Sequence, residues 1–126
     1  MKIFKLLIFS AALLLAASVT GLRVASAHSF PEQETPSAGQ RLSAPPSEVT
    51  IKFDAPIEKL FAKLEVLDPD GKPETIGPPQ VDPTALTLSV KVADLKPGDY
   101  TVKWGVVCID SHHTEGSYVF TVAGGA

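Results

Sequence analysis

Tyr100-Thr101-Val102-Lys103-Trp104-Gly105-Val106-Val107-Cys108-Ile109 is the stretch that decides the fold. Val102, Trp104, Val106 and Cys108 recur at every second position, so an extended chain gathers them on one face. A helix would distribute the same side chains around its axis and bury none of them well. The run is therefore a strand with one face against a core, rich in the β-branched and aromatic residues that suit a pleated surface.

Working outward, Leu95-Lys96-Pro97-Gly98-Asp99 is a tight turn that delivers Tyr100 to the start of this strand. The arrangement is similar to the tyrosine corner of immunoglobulin-like sandwiches, in which the phenol bonds back to upstream backbone. Downstream, Ser117 to Val122 places Tyr118, Phe120 and Val122 on one face and Val119 on the other. Upstream, three more segments alternate: Val49, Ile51 and Phe53 within Ser47–Asp54; Leu64 and Val66 within Phe61–Leu67; and Leu86, Leu88, Val90 and Val92 within Ala85–Val92. Asp68-Pro69-Asp70-Gly71 reads as the turn of a hairpin that begins with Phe61–Leu67. Lys72 to Pro83 carries Pro73, Pro78, Pro79 and Pro83, which suits a loop or an irregular sheet edge. Phe30 to Pro46 reads as an extended leader, with at most a short strand near Glu32–Thr35 and Leu42 as its core anchor. No segment beyond residue 27 has a helical apolar stripe. The pattern predicts an all-β domain, a small Greek-key β-sandwich or barrel of about seven strands, cupredoxin-like or immunoglobulin-like.

The first 27 residues stand apart. Lys2 and Lys5 precede an apolar run from Leu6 to Val19, and Ala25-Ser26-Ala27 is an A-x-A cleavage signal, so residues 1–27 read as a cleaved secretory signal and 28–126 as one domain. Removing them from 126 residues leaves 99, enough for a single small core. Eight basic residues then face fourteen acidic ones, a formal net charge of −6. That balance disfavours nucleic acid and anionic lipid as partners and suits both cation attraction and simple solubility. Cys108 is the only cysteine, so no internal disulfide forms. With no cysteine at the cleavage site and no later apolar run of spanning length, the expected product is periplasmic and not membrane-embedded.

The chemistry concentrates at Ile109-Asp110-Ser111-His112-His113-Thr114-Glu115, directly after the deciding strand. Asp110 and His112 are two positions apart and project to the same side of an extended or tightly looped chain, whereas His113 projects elsewhere. A carboxylate with an imidazole is a ligand pair for a borderline divalent ion, zinc and copper alike, but D-x-H also fits a solvated polar loop. The third histidine, His28, becomes the N-terminal residue if the signal is cut after Ala27. Its α-amine and ring nitrogen then chelate together, and with a second imidazole and a carboxylate they make an N₃O set suited to tetragonal Cu(II).

On these residues the chain resembles the CopC family of periplasmic copper-binding, copper resistance proteins. The resemblance runs through His28, Thr35-Pro36-Ser37-Ala38-Gly39, Val49-Thr50-Ile51-Lys52-Phe53, Leu95 to Tyr100, Trp104, Asp110-Ser111-His112 and Gly116-Ser117. It implies a small β-sandwich of cupredoxin-like topology and one Cu(II) ion held by His28, Asp110 and His112. It also implies a non-enzymatic role in copper homeostasis, with an inner-membrane copper transporter, CopD-like, as recipient. Three positions depart from the family pattern. His113 replaces the usual proline, as a bystander, a group behind a ligand or a competing ligand. Asp54 stands near where some members carry a glutamate. Met1 is the only methionine, so no methionine-rich Cu(I) site exists. Cys108 reads as a buried strand residue or a soft neighbour of the site, and Glu115 as a loop charge or an outer partner of an imidazole. Two rival functions remain at this level: a copper monooxygenase-like enzyme with an N-terminal histidine brace, and a metal-free structural or adhesive sandwich.

Overall fold

The computed structural model describes residues 29–124, which form two four-stranded sheets packed face to face. In chain order the strands are β1 (Pro31–Thr35), β2 (Arg41–Leu42), β3 (Glu48–Phe53), β4 (Lys63–Leu67), β5 (Thr75–Val81), β6 (Thr87–Val92), β7 (Gly98–Val107) and β8 (His113–Val122). The first sheet runs β1-β3-β6-β5 and the second β2-β8-β7-β4, so the architecture is an open sandwich and not a closed barrel. All pairs are antiparallel except β2 with β8, where Arg41 and Leu42 lie parallel to Thr121 and Val122.

The core is what the alternation requires. Val49, Ile51 and Phe53 from β3 and Leu88, Val90 and Val92 from β6 meet Leu64, Val66, Val102, Trp104, Val106, Tyr118, Phe120 and Val122 from the second sheet. Full burial of each large side chain contributes about 1.5–3 kcal/mol. Phe53 meets Trp104 edge to face, with ring centroids 5.4 Å apart, and Tyr100 stacks on Phe120 at 5.7 Å. The Tyr100 hydroxyl donates to the Lys96 carbonyl at 2.6 Å, completing the tyrosine corner.

The sequence expectations need adjustment at four places. The described residues form eight strands, because the two-residue β2 pairs along the free side of β8. Asp68–Gly71 does not turn a full hairpin: Leu67 bridges Pro73, and the chain then leaves the second sheet to become β5 at the edge of the first. Phe61 is not in β4. It closes a 3-10 turn, Lys59–Phe61, and is exposed along with Leu60. Leu86 precedes β6 and is half-buried. The proline-rich segment is an edge strand whose register breaks between Ile76 and Gln80, around Gly77, Pro78 and Pro79.

Four connections converge at one end of the sandwich. Asp54 N donates to the Phe30 carbonyl at 2.9 Å, Phe53 N to Leu86 O at 2.8 Å, Ile57 N to Ala85 O at 2.9 Å and Glu58 N to Val107 O at 2.8 Å. The start of β1, the end of β3, the β5–β6 turn and the β7–β8 loop are thereby tied together.

Candidate metal centre

The β7–β8 ladder pairs ten residues on each strand, from Gly98 with Val122 to Val107 with His113, and it fixes the loop at its tip. Beyond the last pair, Cys108 N donates to His112 O at 2.7 Å and Ser111 N to Cys108 O at 2.9 Å. That leaves a three-residue loop, Ile109-Asp110-Ser111, closed by Ser111 in the left-handed region at φ 74°. Asp110 and His112 flank this residue, and the turn brings them round to one another. The His112 backbone N–H donates to Asp110 Oδ1 at 3.2 Å, and His112 Nδ1 lies 2.9 Å from Asp110 Oδ2.

The spacing can be tested against a metal ion. With bonds of about 2.0–2.1 Å to imidazole nitrogen and carboxylate oxygen, two donors at right angles on one ion stand about 2.9 Å apart. The Nδ1–Oδ2 separation of 2.9 Å equals that value and is equally the length of an ordinary hydrogen bond, so it is compatible with a shared ion without requiring one. To share one ion, both atoms must turn their lone pairs away from each other toward a common point, which His112 can reach by rotating its exposed imidazole. The pair is accessible, the His112 side chain keeping 60% of its exposure. Ile109, Phe30, Leu60 and Phe61 are exposed apolar residues at the same end of the sandwich.

Among the described residues, no group of three or more His, Cys, Asp or Glu side chains assembles that could hold a metal ion. The structure therefore presents two donors together, Asp110 and His112. His28 lies outside the described residues. His113 takes a different direction: as the first residue of β8, opposite Val107, it lies on the outer face of the second sheet. Its Nε2 comes within 3.4 Å of the point a Cβ on Gly105 would occupy, so the ring covers that glycine. Together with Lys63, Glu65, Lys103 and Glu115 it lines a groove of about 500 Å³. Glu115 belongs to that outer face and not to the Asp110–His112 pair. Asp54 is a backbone anchor, its Oδ1 accepting from Phe30 N at 2.8 Å.

The chain just after position 28 is held by Cys108, which the sequence marks as a buried strand residue, and by Pro56 and Thr114, which the sequence does not single out. Ser29 is fully buried, the only buried polar or charged residue among those described. Its N–H donates to Cys108 Sγ at 2.8 Å, its hydroxyl donates to Pro56 O at 3.2 Å, and its carbonyl accepts from Thr114 Oγ1 at 2.8 Å. These partners are 27 to 85 positions away, and no local signal announces them.

Comparison with known proteins agrees with this architecture. The family model described as the CopC domain matches residues 31–123. Protein YobA of Escherichia coli K12 is 34% identical over 98 residues, covering 76% of this chain and 79% of that protein. Among solved structures, CopC from Methylosinus trichosporium OB3b superposes with a TM-score of 0.72 at 31% identity, covering 76% of this chain and 94% of that one. PcoC, a methionine-rich copper resistance protein from Escherichia coli, gives a TM-score of 0.65 at 24% identity, covering 76% and 99%. At that identity it supports the fold alone.

Proposed function

Since the chain belongs to the CopC family, we propose that it is a periplasmic copper-binding protein of copper resistance and homeostasis. After removal of residues 1–27 it holds one Cu(II) ion through His28, Asp110 and His112 and passes it to an inner-membrane transporter of the CopD kind. The observation that carries this reading is the Asp110–His112 donor pair, 2.9 Å apart, at the end of the sandwich where Ser29 is fastened. Amine, two imidazoles and a carboxylate suit the tetragonal geometry of Cu(II), and competition with Zn(II) is what separates the two ions. Hand-off is supported by the exposure of both donors and by the apolar residues Ile109, Leu60 and Phe61 nearby, which suit contact with a protein recipient. On this reading the protein is a carrier and not an enzyme, since the α-amine and the side chains of His28, Asp110 and His112 would supply four donors and leave no equatorial position for a substrate.

The test is titration of protein beginning at His28 with Cu(II), followed by visible absorption and electron paramagnetic resonance, with Zn(II) as competitor. One equivalent of tight Cu(II) is expected. One extra residue before His28 should remove tight binding, and undiminished affinity would refute the amine chelate. His112→Ala should cost far more affinity than His113→Ala; equal losses would mean that the outer-face imidazole is a ligand instead.

A further inference from the structure

We infer that Cys108 and Thr114 are positioning residues that clamp the Ser29 peptide and thereby aim residue 28 at the Asp110–His112 pair. The inference rests on the copper-binding reading above and extends it to side chains that touch no metal. Chain ends ordinarily fray unless something ties them down. Here β1 begins only at Pro31, yet Ser29, two residues earlier, has no exposed surface. Both polar groups of its backbone are satisfied by side chains: the N–H by Cys108 Sγ at 2.8 Å and the carbonyl by Thr114 Oγ1 at 2.8 Å. The Ser29 hydroxyl adds a bond to Pro56 O at 3.2 Å, and the next residue, Phe30, is held through its N–H by Asp54 at 2.8 Å.

The location of the two clamp residues gives the contacts a purpose. Cys108 is the residue just before the Ile109-Asp110-Ser111 loop, and its own N–H donates to His112 O at 2.7 Å. Thr114 is two residues beyond His112, on the inner side of β8, opposite Val106. The clamp thus grips the loop on both flanks. The nitrogen that joins Ser29 to residue 28 lies within hydrogen-bond reach of Cys108, whose neighbours in the chain carry the ligands. Cys108 acts by accepting the Ser29 N–H, and a serine hydroxyl at that position can do the same.

The experiment uses protein starting at His28 and compares Cys108→Ala, Cys108→Ser and Thr114→Val with the parent, at concentrations and temperatures where circular dichroism shows each to be folded. Groups that orient metal ligands typically change affinity by about 10–100-fold when removed. Cys108→Ala and Thr114→Val are each expected to lower Cu(II) affinity by about tenfold or more and to alter the paramagnetic resonance spectrum, with Cys108→Ser restoring both. A Cys108→Ala protein with the parent's affinity and spectrum would reduce the clamp to a purely structural contact. Loss of a sulfur-to-copper charge-transfer band with no rescue by serine would make Cys108 a ligand and overturn the inference. Should Cys108→Ala fail to fold, Thr114→Val carries the test with the same two outcomes. A parent that binds no Cu(II), or binds it equally well with a residue added before His28, would refute the copper-site reading itself, a result separate from any behaviour of the clamp variants.

Discussion

Replacing Gly116 with alanine tests how the second sheet is packed behind the Asp110–His112 loop. Gly116 lies opposite Trp104 in the β7–β8 ladder, and the indole lies across the glycine. A Cβ at this position would stand 2.7 Å from Trp104 Cζ2, 2.9 Å from Cε2 and 3.0 Å from Nε1. Carbon atoms pack at about 3.5–4.0 Å, so the ring must retreat by roughly 1 Å. It has little room. Phe53, with no exposed surface, meets it edge to face at a centroid distance of 5.4 Å. Overpacking of this kind costs about 1–3 kcal/mol. The lost backbone freedom of glycine in the unfolded chain offsets about 0.4–1 kcal/mol of that. The expected net loss is about 1–2 kcal/mol, a fall in Tm of roughly 5–15 °C for a domain of this size. Thermal melts give the stability, and Trp104, the only tryptophan of the chain, reports the ring's displacement by its emission. The cause is isolated by a double-mutant cycle: in a Trp104→Phe background the smaller ring should make Gly116→Ala cheaper by a measurable coupling energy. An alanine variant with unchanged Tm and emission, or strictly additive costs in the cycle, would refute the steric argument.

Three further substitutions probe the fold and the loop. Ser111 holds φ 74° at the turn between Asp110 and His112, and Ser111→Gly should raise stability by up to about 1 kcal/mol in denaturant unfolding; a loss of stability would mean that the serine side chain is itself required. Tyr100→Phe removes the 2.6 Å bond to Lys96 O and should cost about 1–2 kcal/mol, read from the same unfolding curves, unless the corner is held by packing alone. The Tyr118 hydroxyl is buried with no hydrogen-bond partner among the described residues, so Tyr118→Phe should leave stability at pH 7 unchanged or slightly higher. Burial, with Glu34 nearby, pushes the Tyr118 hydroxyl above the usual tyrosine range. The unfolded state therefore ionises first: stability is intact below about pH 10 and falls as pH rises beyond it. The phenylalanine variant should lose less stability in that alkaline range, and identical alkaline unfolding of the two proteins would count against the assignment.

The parts of the fold that could be read from the sequence are those with a strict period of two. Val49-Ile51-Phe53, Leu88-Val90-Val92, Val102-Trp104-Val106 and Tyr118-Phe120-Val122 are core rows in the structure, because a half-buried strand leaves the pleat no other way to satisfy its apolar residues. The failures lie where local chemistry does not determine the partner. Asp68–Gly71 has the residues of a hairpin turn, and it does turn the chain. The outgoing segment could pair beside β4, whose outer edge is open, or cross to β6, and the turn residues do not say which; in the structure it crosses. Phe61 opens the β4 segment on paper although it is in phase with Lys63 and Glu65 and not with Leu64 and Val66; its N–H bonds Glu58 O at 3.3 Å in a 3-10 turn, and the ring is exposed. A two-residue strand such as β2 cannot express a period at all.

The candidate site divides along the same line. Asp110 and His112 are two positions apart, so the hairpin that creates their loop also creates their contact, and motif spacing alone suffices to pair them. His113 is adjacent in sequence, but the ladder turns it onto the outer face over Gly105, since neighbouring side chains in a strand diverge. The Ser29 contacts span 79 and 85 positions and are visible only in three dimensions. The two halves of the proposed copper site are consequently defined by different forces. One is set by a ten-pair β-ladder that ends in a strained three-residue loop, and it exists as soon as β7 and β8 pair. The other depends on burying a single serine peptide against a thiol and a hydroxyl. Because those two side chains are exchangeable for isosteres without unpicking the ladder, the entry of the chain is the half of the proposed site whose precision can be altered independently.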